Sequence, residues 1–177
     1  MRKVSTPLRY PGGKTRVADM LVSRMPEFKE YREPFIGGGS VFLSALNKFP
    51  DASYWISDLY FDLYAFWKAT KSNDGPLVRQ ILEWRAKYTD GKKLYSFLVD
   101  GIKGFNEIEK AAAFFVLNRI TFSGTTLSGG FSNSAFKGRF TESSIDRVRK
   151  LHDALMESNV MITNLDYSEL LSAEGDD

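Results

Sequence analysis

Three short runs of this chain carry residue types that could do chemistry. Pro34-Phe35-Ile36-Gly37-Gly38-Gly39-Ser40-Val41-Phe42 sets three glycines between an extended run and a helix-forming one. Glycines in such a turn let the backbone come close to a ligand, and the amides of the following helix favour a carboxylate or phosphate. The run also reads as a plain strand-to-helix turn, and the dinucleotide fingerprint fails because Phe42 stands where its third glycine belongs. Asp58 lies 19 residues beyond Gly39, at the end of the next β-favouring run. An acid there can accept hydrogen bonds from ribose hydroxyls or cap the helix that begins near Tyr60, and the two roles are compatible. Tyr10-Pro11-Gly12-Gly13-Lys14-Thr15 presents a ring and a lysine on one tight turn. Its Gly-Lys-Thr ending suggests a nucleoside-triphosphate loop, but that motif needs glycine where the chain has Leu8.

The elements that must position these residues follow from periodicity. Val17, Met20, Leu21 and Met25 fall at helical spacing, which predicts a helix over 16–25 after the glycine turn. A strand over Tyr31–Ile36 is expected to break at Gly37-Gly38-Gly39, with Ser40 as cap and a helix from Val41 to Leu46. Ser53–Ser57 is rich in β-favouring residues, and Tyr60, Leu63, Tyr64 and Trp67 then mark one buried helical stripe. This βαβα order implies a parallel sheet with helices packed on it. Asn73-Asp74-Gly75-Pro76 ends the pattern, and 77–118 reads as helical with breaks at Asp90-Gly91 and Gly101–Gly104. Residues 119–140, rich in glycine, serine and threonine, predict a long hairpin or mobile loop whose core is Phe122, Phe131, Phe136 and Phe140. A helix over Ser144–Met156 and a strand over Val160–Thr163 return the chain to the sheet.

Composition removes whole classes of chemistry. Without cysteine, and with His152 alone among histidines, thiolate nucleophiles, disulfides and His/Cys metal clusters are excluded. The first seven residues lack an apolar signal core and no run approaches the ~20 apolar residues of a membrane span, so a soluble cytoplasmic protein is expected. Residues 1–76 carry 11 basic and 8 acidic groups, 77–150 carry 13 and 7, and 151–177 carry none and 7. The cationic middle suits phosphate contacts, and equally a solvated helical surface.

Taken in order, the motifs resemble the Dam-like DNA adenine-N6 methyltransferases, in which cofactor motif, target-recognition segment and catalytic motif follow one another. The family's opening aromatic-x-Gly-Gly-Lys is matched by Tyr10 to Lys14, with Tyr10 where many members have tryptophan. Its Pro-Phe-x-Gly-x-Gly-Ser-Val-Phe is matched by Pro34 to Phe42, its strand-two acid by Asp58, and its Leu-Asn-Arg by Leu117-Asn118-Arg119. Asp166-Tyr167 stands where members have an acid and an aromatic at the cofactor's adenine edge. The resemblance implies an α/β fold: an incomplete Rossmann-like, S-adenosylmethionine-dependent methyltransferase sheet with an inserted helical target-recognition subdomain bearing a hairpin. Residues 1–75 would bind cofactor, 76–143 would recognise the target, and 144–177 would return to the sheet.

S-adenosylmethionine is then the implied cofactor, double-stranded DNA the partner, and restriction-modification the setting. Tyr10, Pro11, Gly12, Gly13 and Lys14 would flank the methionine end, with Pro34, Phe35, Gly37, Gly39 and Ser40 beneath the cofactor. Asp58 would hold the ribose, and Asp166 and Tyr167 would meet the adenine. Asn118, Arg119, Ser123, Thr125, Thr126, Lys137 and Arg139 would face DNA, although Leu-Asn-Arg also reads as a structural clasp at a helix end. Leu127 stands where members that modify GATC carry an arginine that can read guanine, which argues against GATC as target.

The family's Asp/Asn-Pro-Pro-Tyr loop is absent, since no two of the six prolines are adjacent. No catalytic residue is therefore assigned, and the chain is expected to be a truncated, proteolysed or split form that transfers no methyl group by itself. Its sheet edge would call for a second copy or a complementing C-terminal fragment. A non-catalytic cofactor- or DNA-binding homologue is the alternative, and a methyltransferase acting on RNA or a small molecule is a further one.

Overall fold

The computed structural model describes residues 3–175; Met1, Arg2, Asp176 and Asp177, at the two ends of the segments above, lie outside them. The first part alternates α1 (Ala18–Ser23), β1 (Glu30–Glu33), α2 (Ser40–Lys48), β2 (Ser53–Ser57) and α3 (Phe61–Ser72). Four helices follow, α4 (Asp74–Lys87), α5 (Gly91–Gly101), α6 (Glu107–Ile120) and α7 (Asn133–Arg139). Then come α8 (Glu142–Met156), β3 (Val160–Thr163) and α9 (Tyr167–Ser172). The strands form one parallel sheet in the order β1-β2-β3, with Tyr31 opposite Tyr54 and Trp55 opposite Met161. A parallel pair needs a crossover. The crossover from β1 to β2 is α2, and the one from β2 to β3 is the whole run from α3 to α8.

One hydrophobic cluster joins the sheet to that run, with Phe42, Tyr54, Phe66, Trp67, Phe114 and Phe115 fully buried. Every residue of α6 from Ala111 to Ile120 is buried. Its sequence lacks a polar face because α3, α4, α5 and α7 all pack on it. An Asn106 capping box starts α6: the Asn106 side chain accepts from the Glu109 amide at 2.9 Å and the Glu109 carboxylate accepts from the Asn106 amide at 2.8 Å.

Three expectations change. Strand β1 stops at Glu33 because Pro34 has no N–H for the ladder, although the Ile36 amide still donates to the Ser57 carbonyl at 3.0 Å. Ser40 does not cap α2. Gly39 holds that position with φ +68°, and the Ser40 hydroxyl lies 2.8 Å from that of Thr15. The expected hairpin over 119–140 reduces to one antiparallel bridge, Thr121 to Phe131, two 3-10 turns at Phe122–Gly124 and Thr126–Ser128, and α7. Its hydroxyls explain why: Thr125 Oγ1 donates to the Phe122 carbonyl and Ser128 Oγ to that of Thr125, both at 2.8 Å, so the local turns replace a ladder. Phe131, Phe136 and Phe140 form an aromatic row, whereas Phe122 is 62% exposed and is not core.

Candidate functional site

The glycine bend is built by its neighbours. Gly37 and Gly39 have φ of +48° and +68°, and the Gly39 amide closes a tight turn on the Ile36 carbonyl at 2.8 Å. Trp67 lies beneath, donating from Nε1 to the Gly37 carbonyl at 3.1 Å. A Cβ at Gly39 would sit 2.5 Å from the Trp67 ring, so both the backbone conformation and the space demand glycine here. Asp58 locks the bend from the side: its Oδ2 accepts from the Gly37 amide at 3.1 Å and its Oδ1 from the Tyr60 amide at 3.0 Å. Each carboxylate oxygen keeps a second lone pair for another donor.

The N-terminal turn closes on this bend. The Gly13 amide donates to the Tyr10 carbonyl at 2.9 Å, and Gly12 takes φ +75°. The Tyr10 ring packs on the glycine backbone; a Cβ at Gly37 would meet its Cε1 at 2.9 Å. Burial, and then the nearby Asp58 charge, push the Tyr10 hydroxyl above its ordinary pKa. Lys14 donates from Nζ to the Gly12 carbonyl at 2.8 Å and is exposed. The result is an open cleft of about 160 Å³ lined by Tyr10, Pro11, Gly12, Gly13, Lys14, Phe35, Gly37, Gly39 and Ser40, with Glu33, Ile36, Gly38 and Val41. Pro34 stands at the strand end outside this lining, and Asp58 stands behind Gly37.

Asp166 and Tyr167 sit at the start of α9. The Asp166 carboxylate caps that helix, accepting from the Ser168 amide at 2.9 Å and hydroxyl at 2.5 Å, and these bonds hold it below its ordinary pKa. The Tyr167 ring lies 5.7 Å from that of Phe35, both well exposed, so α9 adds an aromatic wall beside the cleft.

Glu33 lines the cleft and was not singled out from the sequence. Burial raises its carboxyl to about 7, against the opposing effect of the Tyr31 hydroxyl, which donates to Oε2 at 2.7 Å. An acid at a strand end, directly before the proline of a glycine turn, is the signal that could have flagged it.

The residues expected to face DNA divide. Asn118 is fully buried: Oδ1 accepts from the Arg9 amide at 2.9 Å, and Nδ2 donates to the carbonyls of Arg9 at 2.5 Å and Gly124 at 3.0 Å. Arg119 is 4% exposed, donates from Nη2 to Asn118 Oδ1 at 2.6 Å and lies over the Phe115 ring. Thr126 is also buried. Surface contact by these three is thereby corrected to an interior position, because Leu-Asn-Arg fastens the Tyr10 turn to α6. Ser123, Lys137 and Arg139 are exposed and Thr125 is half-buried. A second cavity of about 250 Å³ shares Tyr10 and Pro11 with the cleft and continues along Tyr60, Phe114 and the turn at Gly124–Ser128. Among the described residues no group of three or more His, Asp or Glu is placed to hold a metal ion, and no helix is long and apolar enough to cross a membrane.

Several known proteins are similar to this chain in sequence. A DNA adenine methylase of Vibrio cholerae serotype O1 is 30% identical over 139 residues, covering 75% of this chain and 48% of that protein. The DNA adenine methylase of Escherichia coli K12 is 26% identical over 180 residues, covering 99% and 63%. The type II methyltransferase M.MjaIII of Methanocaldococcus jannaschii is 28% identical over 132 residues, covering 66% and 46%. This chain thus spans about half the length of the V. cholerae and M. jannaschii relatives. The profile of the D12 class N6 adenine-specific DNA methyltransferases matches residues 10–177, and the chain, whose Tyr10 turn closes on a glycine bend braced by Asp58, belongs to that family.

Proposed function

We propose that the protein transfers a methyl group from S-adenosylmethionine to adenine N6 in double-stranded DNA, and that these 177 residues hold the donor and face the duplex. The observation that carries this reading is the cleft formed where the Lys14 turn closes on the triple-glycine bend, with Asp58 bonded to the Gly37 amide behind it at 3.1 Å. The fit is chemical: a free lone pair on each Asp58 oxygen suits ribose hydroxyls, and the exposed Phe35–Tyr167 rings suit the adenine face. Asp166 would take the adenine amine, and Lys14 the carboxylate of the methionine end. The cleft is smaller than the ~300–1,000 Å³ of ordinary small-molecule sites. The Tyr10 ring, 37% exposed and lying on Gly37, closes one side of it. When bound, the cofactor supplies an electrophilic methyl on a sulfonium.

An adenine N6 is a poor nucleophile and is hidden inside a duplex, so the base must be extruded and its amine oriented. The family's Asp/Asn-Pro-Pro-Tyr loop does this work, and it is not among these 177 residues. In this reading the residues of this chain bind and orient, and none of them is assigned a catalytic role. Ser123, Thr125, Lys137 and Arg139 would approach DNA. A non-catalytic cofactor- or DNA-binding homologue is the alternative reading, and methyl transfer by the full-length protein separates the two.

Calorimetry with S-adenosylhomocysteine and with ATP tests the cofactor. The first should bind and the second should not, and Asp58→Ala should weaken binding about 10- to 100-fold through loss of charge-assisted hydrogen bonds worth ~1.5–3 kcal/mol. Equal affinity for ATP, or an Asp58→Ala protein that binds as before, would reject the reading.

A further inference from the structure

Arg32 stands on β1, and its guanidinium serves a segment far along the chain. The side chain is 14% exposed. Nε donates to Glu30 Oε1 at 2.5 Å, Nη1 donates to the carbonyls of Leu170 at 2.8 Å and Ala173 at 2.7 Å, and Nη2 donates to that of Glu174 at 2.8 Å. Four of the five guanidinium N–H groups are thereby used. The guanidinium carbon lies over the Trp55 ring of β2, 5.1 Å from its centroid. A Cβ at Gly175 would come within 2.9 Å of Nη2, so the backbone itself runs against the guanidinium.

These carbonyls belong to the C-terminal end of α9, where a helix leaves its last acceptors unpaired and its dipole negative. With six residues, α9 is far below the ~12–15 at which a helix holds its shape alone, and only its Leu170 is buried. Its place is therefore set at its ends. On the N-terminal side the Asn164 side chain donates to the Asp58 carbonyl at 2.6 Å and the Leu165 amide to Ser57 Oγ at 2.9 Å. Those bonds fasten the approach to α9 onto the end of β2. On the C-terminal side Arg32 fastens α9 onto β1. Phe35 follows shortly after Arg32 in the chain, and its ring meets that of Tyr167, the first residue of α9, at 5.7 Å.

We propose that Arg32 is a positioning residue for the adenine end of the donor: by gripping the C-terminal end of α9 it sets Tyr167 against Phe35 and holds that aromatic wall beside the cleft. Arg32 lies outside the cleft lining and acts through Tyr167. The planar fork is what suits it to the task, since it meets Glu30 and three carbonyls from fixed directions. A lysine ammonium is a compact point charge on a flexible stem. It would keep the Glu30 pair and lose the span across the end of α9.

The role rests on the S-adenosylmethionine reading above, and its test separates the two. Calorimetry on the full-length protein compares S-adenosylhomocysteine with S-ribosylhomocysteine, which has the same amino-acid end and ribose but no base. Arg32→Lys should weaken the adenosyl ligand about 2- to 10-fold, the contribution of one aromatic contact, and leave the ribosyl ligand unchanged. General damage to the fold would weaken both alike, and that result overturns the role. So does an Arg32→Lys protein that binds S-adenosylhomocysteine as the parent does.

Tyr167→Ala, at an exposed ring, forms the second arm and decides the matter even where Arg32→Lys fails to fold. It should weaken the adenosyl ligand by a similar factor, and unchanged affinity overturns the role. In the Tyr167→Ala background Arg32→Lys should add no further loss, because both changes remove the same wall; strictly additive losses mean that Arg32 does not act through Tyr167. Hydrogen exchange reads the grip without any ligand: in Arg32→Lys the amides of 167–172 should exchange faster while β1 and β2 stay protected, and unaltered exchange at α9 overturns the grip. A parent protein that binds neither ligand would sink the S-adenosylmethionine reading itself, and the role of Arg32 with it.

Discussion

Asp58 is the residue on which the site turns. One carboxylate braces the Gly37 amide and the Tyr60 amide, so the group that would meet a ribose is also the group that keeps the bend in shape. Glu33 offers a separate readout at the same scale. Its carboxyl is raised from an ordinary 4.5 to about 7, chiefly by burial. The folded state therefore holds a proton that the unfolded state has released, and stability falls as pH rises between those two values. Glu33→Gln should remove this dependence. Urea melts at pH 5 and pH 8 should show the variant gaining on the parent by up to about 3 kcal/mol at the higher pH. A gap between the two proteins that stays constant across this range would place the titrating group elsewhere.

At the scale of elements, the βα junction and the end of α6 are the two fixed points. Gly39→Ala must hold φ +68° and push its Cβ into Trp67. Backbone strain of ~1–3 kcal/mol and overpacking of ~1–3 kcal/mol both act there. Denaturant unfolding should show a loss of about 2–5 kcal/mol, and a change under 1 kcal/mol would mean the bend relaxes freely. Asn118→Ala should detach the Tyr10 turn from α6, since it leaves the Arg9 amide, the Arg9 carbonyl and the Gly124 carbonyl without their partner. Two or more orphaned buried groups at ~1–3 kcal/mol each predict a marked destabilisation. Hydrogen exchange should locate it at residues 8–10 and 122–126 before the sheet opens, and uniform exchange throughout would contradict that order.

Across the whole molecule, one core binds the sheet to the helical run through α3 and α6, so the glycine-bend cleft and the turns at 122–128 move as one body only if that core is intact. The basic surplus of residues 77–150 falls on the stretch from α4 to α8, and Asp166, Glu169 and Glu174 stand at or beyond the start of α9. The 177 residues alone should bind S-adenosylhomocysteine and yet transfer no methyl group to duplex DNA. Labelled-methyl transfer assays check this, and measurable turnover would show that the orienting role of the Pro-Pro loop is filled from within these residues.

The residues alone determined that a glycine turn, a strand-end acid and a Tyr-Lys turn exist, and that a βα pattern surrounds them, because periodicity and turn chemistry are local properties. They also placed β2 and β3 and the breaks between α4, α5 and α6. Only the tertiary structure decided that Asn118, Arg119 and Thr126 are interior, that Glu33 faces the cleft, and that local hydroxyl bonds replace a hairpin. Burial and charge proximity depend on which distant segments pack together, and a pattern along the chain carries no record of that distance.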